Sequence, residues 1–143
     1  MAGESIRVED SQVTICTGGS NLLTDTLNTG ETITAISTTK NFVDLVLTGT
    51  FASAPAVGKT ISVYRRDLNI DGTKDAPLPV LTNYEHKFVG SFNVLNSASE
   101  QVLPLNGIYC PHDAEFYIKN GSGQTLNSGY TIKATAWAWG PAA

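Results

Sequence analysis

The chain has 143 residues, of which 41% are hydrophobic and 15% are charged, and its formal net charge is −4 at pH 7. This length suits one domain that buries a full core without a metal or a disulfide, and the low charge disfavours long exposed helices. Because only 9 Lys and Arg residues are present, a surface that binds nucleic acid is not expected. No apolar run is long enough to predict a membrane span.

The first residues are predicted to form an arm. Residues 1–11 are mostly polar, whereas residues 12–143 are predicted to form a single β-sandwich domain. The N-terminus lacks the basic and apolar regions of a signal peptide, so we expect synthesis in the cytoplasm of a host cell. In that compartment Cys16 and Cys110 are expected to be reduced and buried rather than joined by a disulfide.

Segments in the first half alternate with the period of two residues that is typical of strands. They are residues 12–16, 31–37, 42–51 and 60–66. In the third segment Val43, Leu45 and Leu47 share one face, while Phe42 and Asp44 share the other. One local alternative is a short helix over residues 20–27, where Leu23 and Leu27 have helical spacing.

A long polar stretch, residues 67–84, precedes the second half, and such loops are often functional or interfacial. Further strands are predicted in residues 86–96, 101–105, 114–119 and 130–139. Pro104 places the second of these at a sheet edge. About eight strands without a convincing helix predict an all-β fold, a β-sandwich that is jelly-roll-like, with an immunoglobulin-like sandwich as the rival.

The loop after residue 66 contains a candidate calcium site. Asp67, Asn69 and Asp71 alternate before Gly72, as in the first half of a calcium-binding loop, where alternate oxygens converge on one hard cation. The bidentate acid expected at the twelfth position is replaced by Leu78. The favoured interpretation is therefore an ordinary surface turn, with calcium as the alternative and no other cofactor expected.

Catalytic groups are sparse. Cys110 is followed by His112 and Asp113, but a zinc site needs about four convergent ligands, and only Cys16 and His86 remain to complete one. Pro111 prevents regular geometry in this segment, which disfavours a Cys–His nucleophilic pair. Nucleophile elbows and phosphate-binding glycine loops are absent from the sequence. We therefore expect a protein that is not an enzyme.

The aromatic end of the last predicted strand is the strongest binding candidate. Trp137 and Trp139 share a face with Lys133, opposite a face of small residues that includes Ile132. If the small residues pack on the core, both tryptophans point toward a partner, where large flat rings make good anchors. The opposite interpretation, with the tryptophans capping the core, stays open.

Two tyrosines extend this interface prediction. Tyr64 and Tyr117 also point outward by their strand pattern. Together with Trp137 and Trp139, they form the predicted set of interface residues. The partner of such a surface is a protein or a sugar.

The second half resembles small virion proteins of tailed bacteriophages, the capsid decoration or cement proteins. The resemblance covers roughly residues 33–139 and is a pattern of strands and turns rather than a catalytic signature. Its segments are Thr60–Arg66 followed by Asp71-Gly72, then Phe88–Phe92, Gln101–Leu105, Glu115–Leu126 and Gly129–Ala134.

The resemblance implies a location and a role. It implies a jelly-roll-like sandwich on the virion that binds the outer capsid surface and stabilises contacts between subunits of the major capsid protein, often as a homotrimer. It also implies an N-terminal arm that reaches over an adjacent subunit. The alternative is a receptor- or glycan-binding module, such as a head fibre or tail component, in which Trp137, Trp139 and Tyr64 stack on the ligand.

Overall fold

The computed structural model describes residues 5–36, 40–81, 87–111 and 113–141. These ranges contain eight strands and no helix. The strands are β1 (Ser5–Glu9), β2 (Val13–Thr17), β3 (Phe42–Gly49), β4 (Thr60–Asp67), β5 (Phe88–Asn93), β6 (Gln101–Tyr109), β7 (Ala114–Gly121) and β8 (Thr131–Pro141).

The first sheet is built around β8. One edge of β8 pairs with β1 and β2, which follow each other along it, and its other edge pairs with β3, which in turn pairs with β6. All of these pairings are antiparallel. Strand β6 is therefore an edge strand, as Pro104 predicted, and it is longer than the sequence pattern indicated.

The second sheet has the order β5-β4-β7. The outer edge of β7 is covered by residues 27–36, through the bridges Leu27 to Lys119 and Ile36 to Ala114. The chain thus passes from β2 in the first sheet to residues 27–36 in the second and returns to β3 in the first. Strands β4 and β5 follow in the second sheet. The last three strands alternate, with β6 in the first sheet, β7 in the second and β8 in the first. This is a jelly roll, so the predicted all-β sandwich is confirmed.

The core lies between the sheets and follows from the period-two alternation. On β3 the inward side chains are Val43, Leu45 and Leu47, and all three are buried. On β8 the inward face carries Ile132, Ala134 and Ala136, also buried. Of the two orientations that the sequence left open for the last strand, the one with the small residues facing the core is therefore correct.

One local prediction is wrong, and one local alternative is excluded. The segment predicted as a strand over residues 31–37 makes only isolated bridges, at Ile33 and Ile36, and residue 37 lies outside the described residues. The short helix over residues 20–27 is excluded, because the chain forms turns there and bridges from Leu22 to Leu126 and from Leu27 to Lys119. In this second segment pairing with distant residues overrides the local helical spacing.

Residues 5–9, part of the predicted arm, form β1 along β8 of the same chain. Cys16 and Cys110 are both buried and form no disulfide, as predicted. The described part of the chain contains no helix of the length and apolarity that a membrane crossing requires.

Candidate docking surface

A row of aromatic side chains crosses the outer face of the first sheet. In the strand register Phe42 of β3 lies opposite both Tyr109 of β6 and Trp137 of β8. Trp139 lies two residues further along β8, on the same face. These four residues, Tyr109, Phe42, Trp137 and Trp139, are called the aromatic row below.

The rings of the aromatic row contact one another in sequence. Phe42 and Trp137 stack with centroids 4.7 Å apart. Tyr109 meets Phe42 edge to face at 6.1 Å, and Trp139 meets Trp137 edge to face at 5.4 Å. These are the favoured aromatic geometries, so the row is a continuous packed unit.

The aromatic row has a buried centre and two solvent-exposed ends. Trp137 is only 8% exposed, whereas Trp139 is 62% and Tyr109 58% exposed. The buried centre holds the rings in place, and the exposed ends offer apolar surface to a partner. Exposed aromatic rings held on a rigid support are the usual anchors of protein interfaces.

Asp44 and Arg7 organise this surface from β3 and β1. Oδ1 of Asp44 accepts hydrogen bonds from Nε1 of Trp137 at 2.9 Å and from the backbone N–H of Gly107 at 2.8 Å. Arg7 forms an ion pair with the other carboxylate oxygen of Asp44. Its guanidinium carbon also lies 4.3 Å from the ring centroid of Trp137, a cation–π contact.

The network lowers the pKa of Asp44. Burial acts to raise this pKa, but the hydrogen bonds from Arg7, Gly107 and Trp137 and the charge of Arg7 outweigh it and hold the pKa below the ordinary value of an aspartate. The carboxylate is therefore charged throughout the physiological range. It can hold Arg7 and Trp137 in fixed positions at neutral pH.

The rest of the outer face carries little charge. On β3 and β8 it presents Val46, Thr48, Lys133 and Thr135, all partly buried. The exposed Val102 of β6 continues the surface, opposite Thr48. A broad sheet face with few charges and an aromatic end is suited to docking against another surface.

The structure separates the sequence-predicted interface residues into two groups. Trp139 faces solvent, while Trp137 supports it from the same face. Tyr64 and Tyr117 are 8% and 3% exposed, so the prediction that they point outward to solvent is wrong.

Several contacts surround these two tyrosines on the outer face of the second sheet. The ring of Tyr64 meets Phe88 edge to face at 6.1 Å. Nε of the neighbouring Arg66 donates a hydrogen bond to the carbonyl of the buried Ala76, in the loop after β4, at 2.8 Å. The hydroxyl of Tyr117 donates to Glu115 at 2.8 Å. Burial is the main reason that the pKa of Tyr117 is raised to about 12.

The residues of the candidate calcium site bind other groups of the chain. Oδ1 of Asp67 lies 2.8 Å from Nε of Arg65, and Lys87 approaches its other oxygen at 4.0 Å. Oδ1 of Asp71 accepts the backbone N–H groups of Thr73 at 3.0 Å and Lys74 at 2.6 Å, which lowers the pKa of Asp71. Asn69 has a φ of 53°, in the left-handed region that tight turns use.

Among the described residues, no group of three or more His, Cys, Asp or Glu side chains is placed to share an ion. His86 and His112, which the sequence suggested as partners of the cysteines, lie outside the described residues. Calcium binding by Asp67, Asn69 and Asp71 stays an untested alternative to the surface turn.

Sequence analysis did not single out Tyr109, Arg7 or the role of Asp44. Alternation does place Phe42 and Asp44 on one face of β3. Which residues lie opposite them depends on the pairing of β3 with β6 and of β8 with β1, across long stretches of chain. No family model matches the chain, and no curated protein matches its sequence.

Proposed function

We propose that this chain is a non-enzymatic structural protein of a tailed-bacteriophage virion. It binds the outer capsid surface and stabilises contacts between major capsid protein subunits. The outer face of the first sheet is the docking surface. The observation that carries this proposal is the aromatic row, whose exposed ends, Trp139 and Tyr109, rest on the buried ring of Trp137.

The energetics of such a surface support the proposal. Anchors that are rigid before binding lose little side-chain entropy on association. A capsid also presents many equivalent binding sites. A modest interface at each site can therefore add up to a large stabilisation of the contacts between capsid subunits. The net charge of −4 helps to keep the free protein soluble until it meets the shell.

The fold and the sequence resemblance add weaker support. Jelly rolls are common in viral capsid proteins, although a fold by itself does not determine a function. The resemblance to decoration proteins suggests a homo-oligomer, with a trimer favoured, made in the host cytoplasm and placed on the virion. These points are part of the proposal.

The experiment is a capsid-binding assay with two surface variants. Particles lacking this protein are mixed with wild-type chain, with Trp139→Ala or with Phe88→Ala, and the bound fraction is measured after sedimentation. Phe88 is the matched control, because it is an exposed aromatic residue of β5 in the second sheet. We expect Trp139→Ala to weaken binding about tenfold or more and Phe88→Ala to bind like wild type. Equal binding by all three proteins contradicts this docking surface.

A sugar is the second candidate partner, and a specific observation favours it. The exposed ring of Trp139 lies opposite Arg7 in the strand register, and Glu9 lies opposite Trp137. Flat rings beside charged hydrogen-bonding groups can stack on a sugar ring and bind its hydroxyls. A glycan array distinguishes the candidates: capsid decoration predicts no signal, whereas glycan recognition predicts a signal that Trp139→Ala abolishes.

A further inference from the structure

The edge formed by β1 differs from the other strand edges that the structure describes. Edges with unpaired backbone groups attract other strands, and natural proteins protect them with Pro, a bulge, charged side chains or a short strand. Strand β6 contains Pro104 and a register shift opposite β3. Strand β5 contains Gly90 and also has a register shift.

Strand β1 has neither Pro nor a bulge, although it is short and carries the charges of Arg7 and Glu9. It pairs with β8 at five consecutive positions without a register shift, and all five of its residues are exposed. Its neighbour β2 contains a register shift, and its outer side is bridged by Ile33. Within the described residues, the free side of β1 is therefore a regular edge without Pro or a bulge.

The hydrogen-bonding pattern between β1 and β8 determines which backbone groups of β1 point to its free edge. The N–H of Asp10 donates to the carbonyl of Ala136, in register with the β1–β8 pairs. Because hydrogen-bonded pairs alternate along an antiparallel ladder, the backbone groups of Ile6 and Val8 also point toward β8. Those of Ser5, Arg7 and Glu9 then point away from it and are available to another strand.

We propose that β1 pairs antiparallel with β1 of a second copy of this chain, with Val8 on the twofold axis. Charge selects this register. It places Arg7 of each copy, which already pairs with Glu9 and Asp44 of its own chain, opposite Glu9 of the other copy. Centring the pair on Arg7 or on Glu9 instead sets like charges opposite each other, which is destabilising. The same register also allows backbone hydrogen bonds between the copies, because the N–H and C=O groups of Arg7 and Glu9 both point to the free edge.

The same register brings exposed apolar groups together. Val8 is 38% exposed and would meet its own counterpart on the inward side of the strand. Ile6 would lie opposite Asp10 of the second copy, a carboxylate that already pairs with Lys40 at 3.3 Å in its own chain. The two first sheets then join into one continuous sheet. This contact shares Arg7 with the docking surface proposed above, but it uses the free edge of β1 rather than the outer face of the sheet.

Mass measurement of the wild-type chain is the first test. Sedimentation equilibrium over a concentration series should give an even number of chains at high concentration: two if β1 pairing acts alone, or six if the proposed trimer forms as well. The variant Glu9→Lys should weaken the dimer about tenfold, because it sets like charges across both Arg7 pairs. Glu100→Lys, the same charge change at an exposed position outside β1, should leave the dimer unchanged. A mass of one or three chains throughout the series overturns the proposal.

Cross-linking tests the register itself. Val8 would form a pair without direct hydrogen bonds on the axis, where the Cα atoms are about 4.5 Å apart and a disulfide can form. Under mild oxidation Val8→Cys should therefore yield a covalent dimer, while Ile6→Cys, facing Asp10 of the second copy, should not. The native cysteines are both buried. Equal cross-linking by the two variants, or by neither, contradicts the register.

Discussion

Nε1 of Trp137 donates a hydrogen bond to Oδ1 of Asp44 at 2.9 Å, across the paired strands β8 and β3. This bond satisfies the one polar atom of a large, almost buried ring. It also orients that ring against Phe42, so the platform beneath Trp139 has one defined position. The docking surface is therefore organised before any partner arrives.

The two tryptophans should differ in what they contribute. Trp137→Ala removes a buried ring and leaves Asp44 without its indole donor, and we expect it to lower the free energy of unfolding by about 3 kcal/mol. Trp139→Ala removes a mostly exposed ring, and we expect a change of less than about 1 kcal/mol. Urea unfolding followed by circular dichroism measures both. Equal losses would show that the burial difference has no energetic consequence.

Acid should weaken the contact between β1 and the rest of the first sheet. The pKa of Asp44 is lower in the folded chain than in the unfolded chain, so its contribution is complete above the unfolded value and is lost as pH falls through the folded value. Asp44→Asn removes the partly exposed ion pair with Arg7 and should cost at most about 1 kcal/mol at neutral pH. It should also flatten the acid limb of the stability curve.

Thermal unfolding between neutral pH and values below 3.8 measures this effect. Glu100→Gln is the control, because Glu100 is an exposed carboxylate on the loop before β6. The control should keep the wild-type acid limb. If Asp44→Asn keeps it as well, Asp44 does not stabilise the fold through its charge.

Gly18 should tolerate no side chain. A Cβ at this position would lie 2.1 Å from Cε1 of Tyr130, a ring that is almost completely buried. Gly18→Ala should therefore lower the free energy of unfolding by at least about 2 kcal/mol through overpacking. Gly30→Ala is the control, because nothing lies within 4 Å of its Cβ position. Chemical denaturation of the two variants compares them, and equal stability would contradict the packing around Tyr130.

Calcium should not bind the loop after β4 under ordinary conditions. The carboxylate of Asp67 pairs with Arg65, and Asp71 already caps the turn through the N–H groups of Thr73 and Lys74. We expect isothermal titration to give no heat at about millimolar calcium. Saturable heat that is lost in Asp71→Asn would instead establish the calcium site.

Much of the fold could be predicted from alternation within single strands. The pattern of β8 placed Ala134 and Ala136 on one face and Trp139 on the other, because neighbouring residues of a strand point to opposite faces. Which face is inward depends on the packing of the sheets. For Tyr64 and Tyr117 alternation correctly showed that they leave the core between the sheets, but it could not show that their own face is buried, because that is a tertiary feature.

The assembly of the docking surface could not be predicted for a related reason. Tyr109, Phe42, Trp137 and Arg7 come from four different strands, and they meet through the registers of three strand pairings. Side-chain patterns constrain the faces of each strand but do not determine which strands are neighbours. Residues 31–36 show the converse, since a strand-like pattern there forms only isolated bridges.

Electron cryo-microscopy of intact virions, purified from cells infected with the phage that encodes this chain, would decide the proposed role. We expect density for the sandwich on the outside of the shell, with the outer face of the first sheet against the major capsid protein and Trp139 buried in the contact. Particles that lack this density, or a bound sandwich whose aromatic row faces solvent, would contradict the proposal.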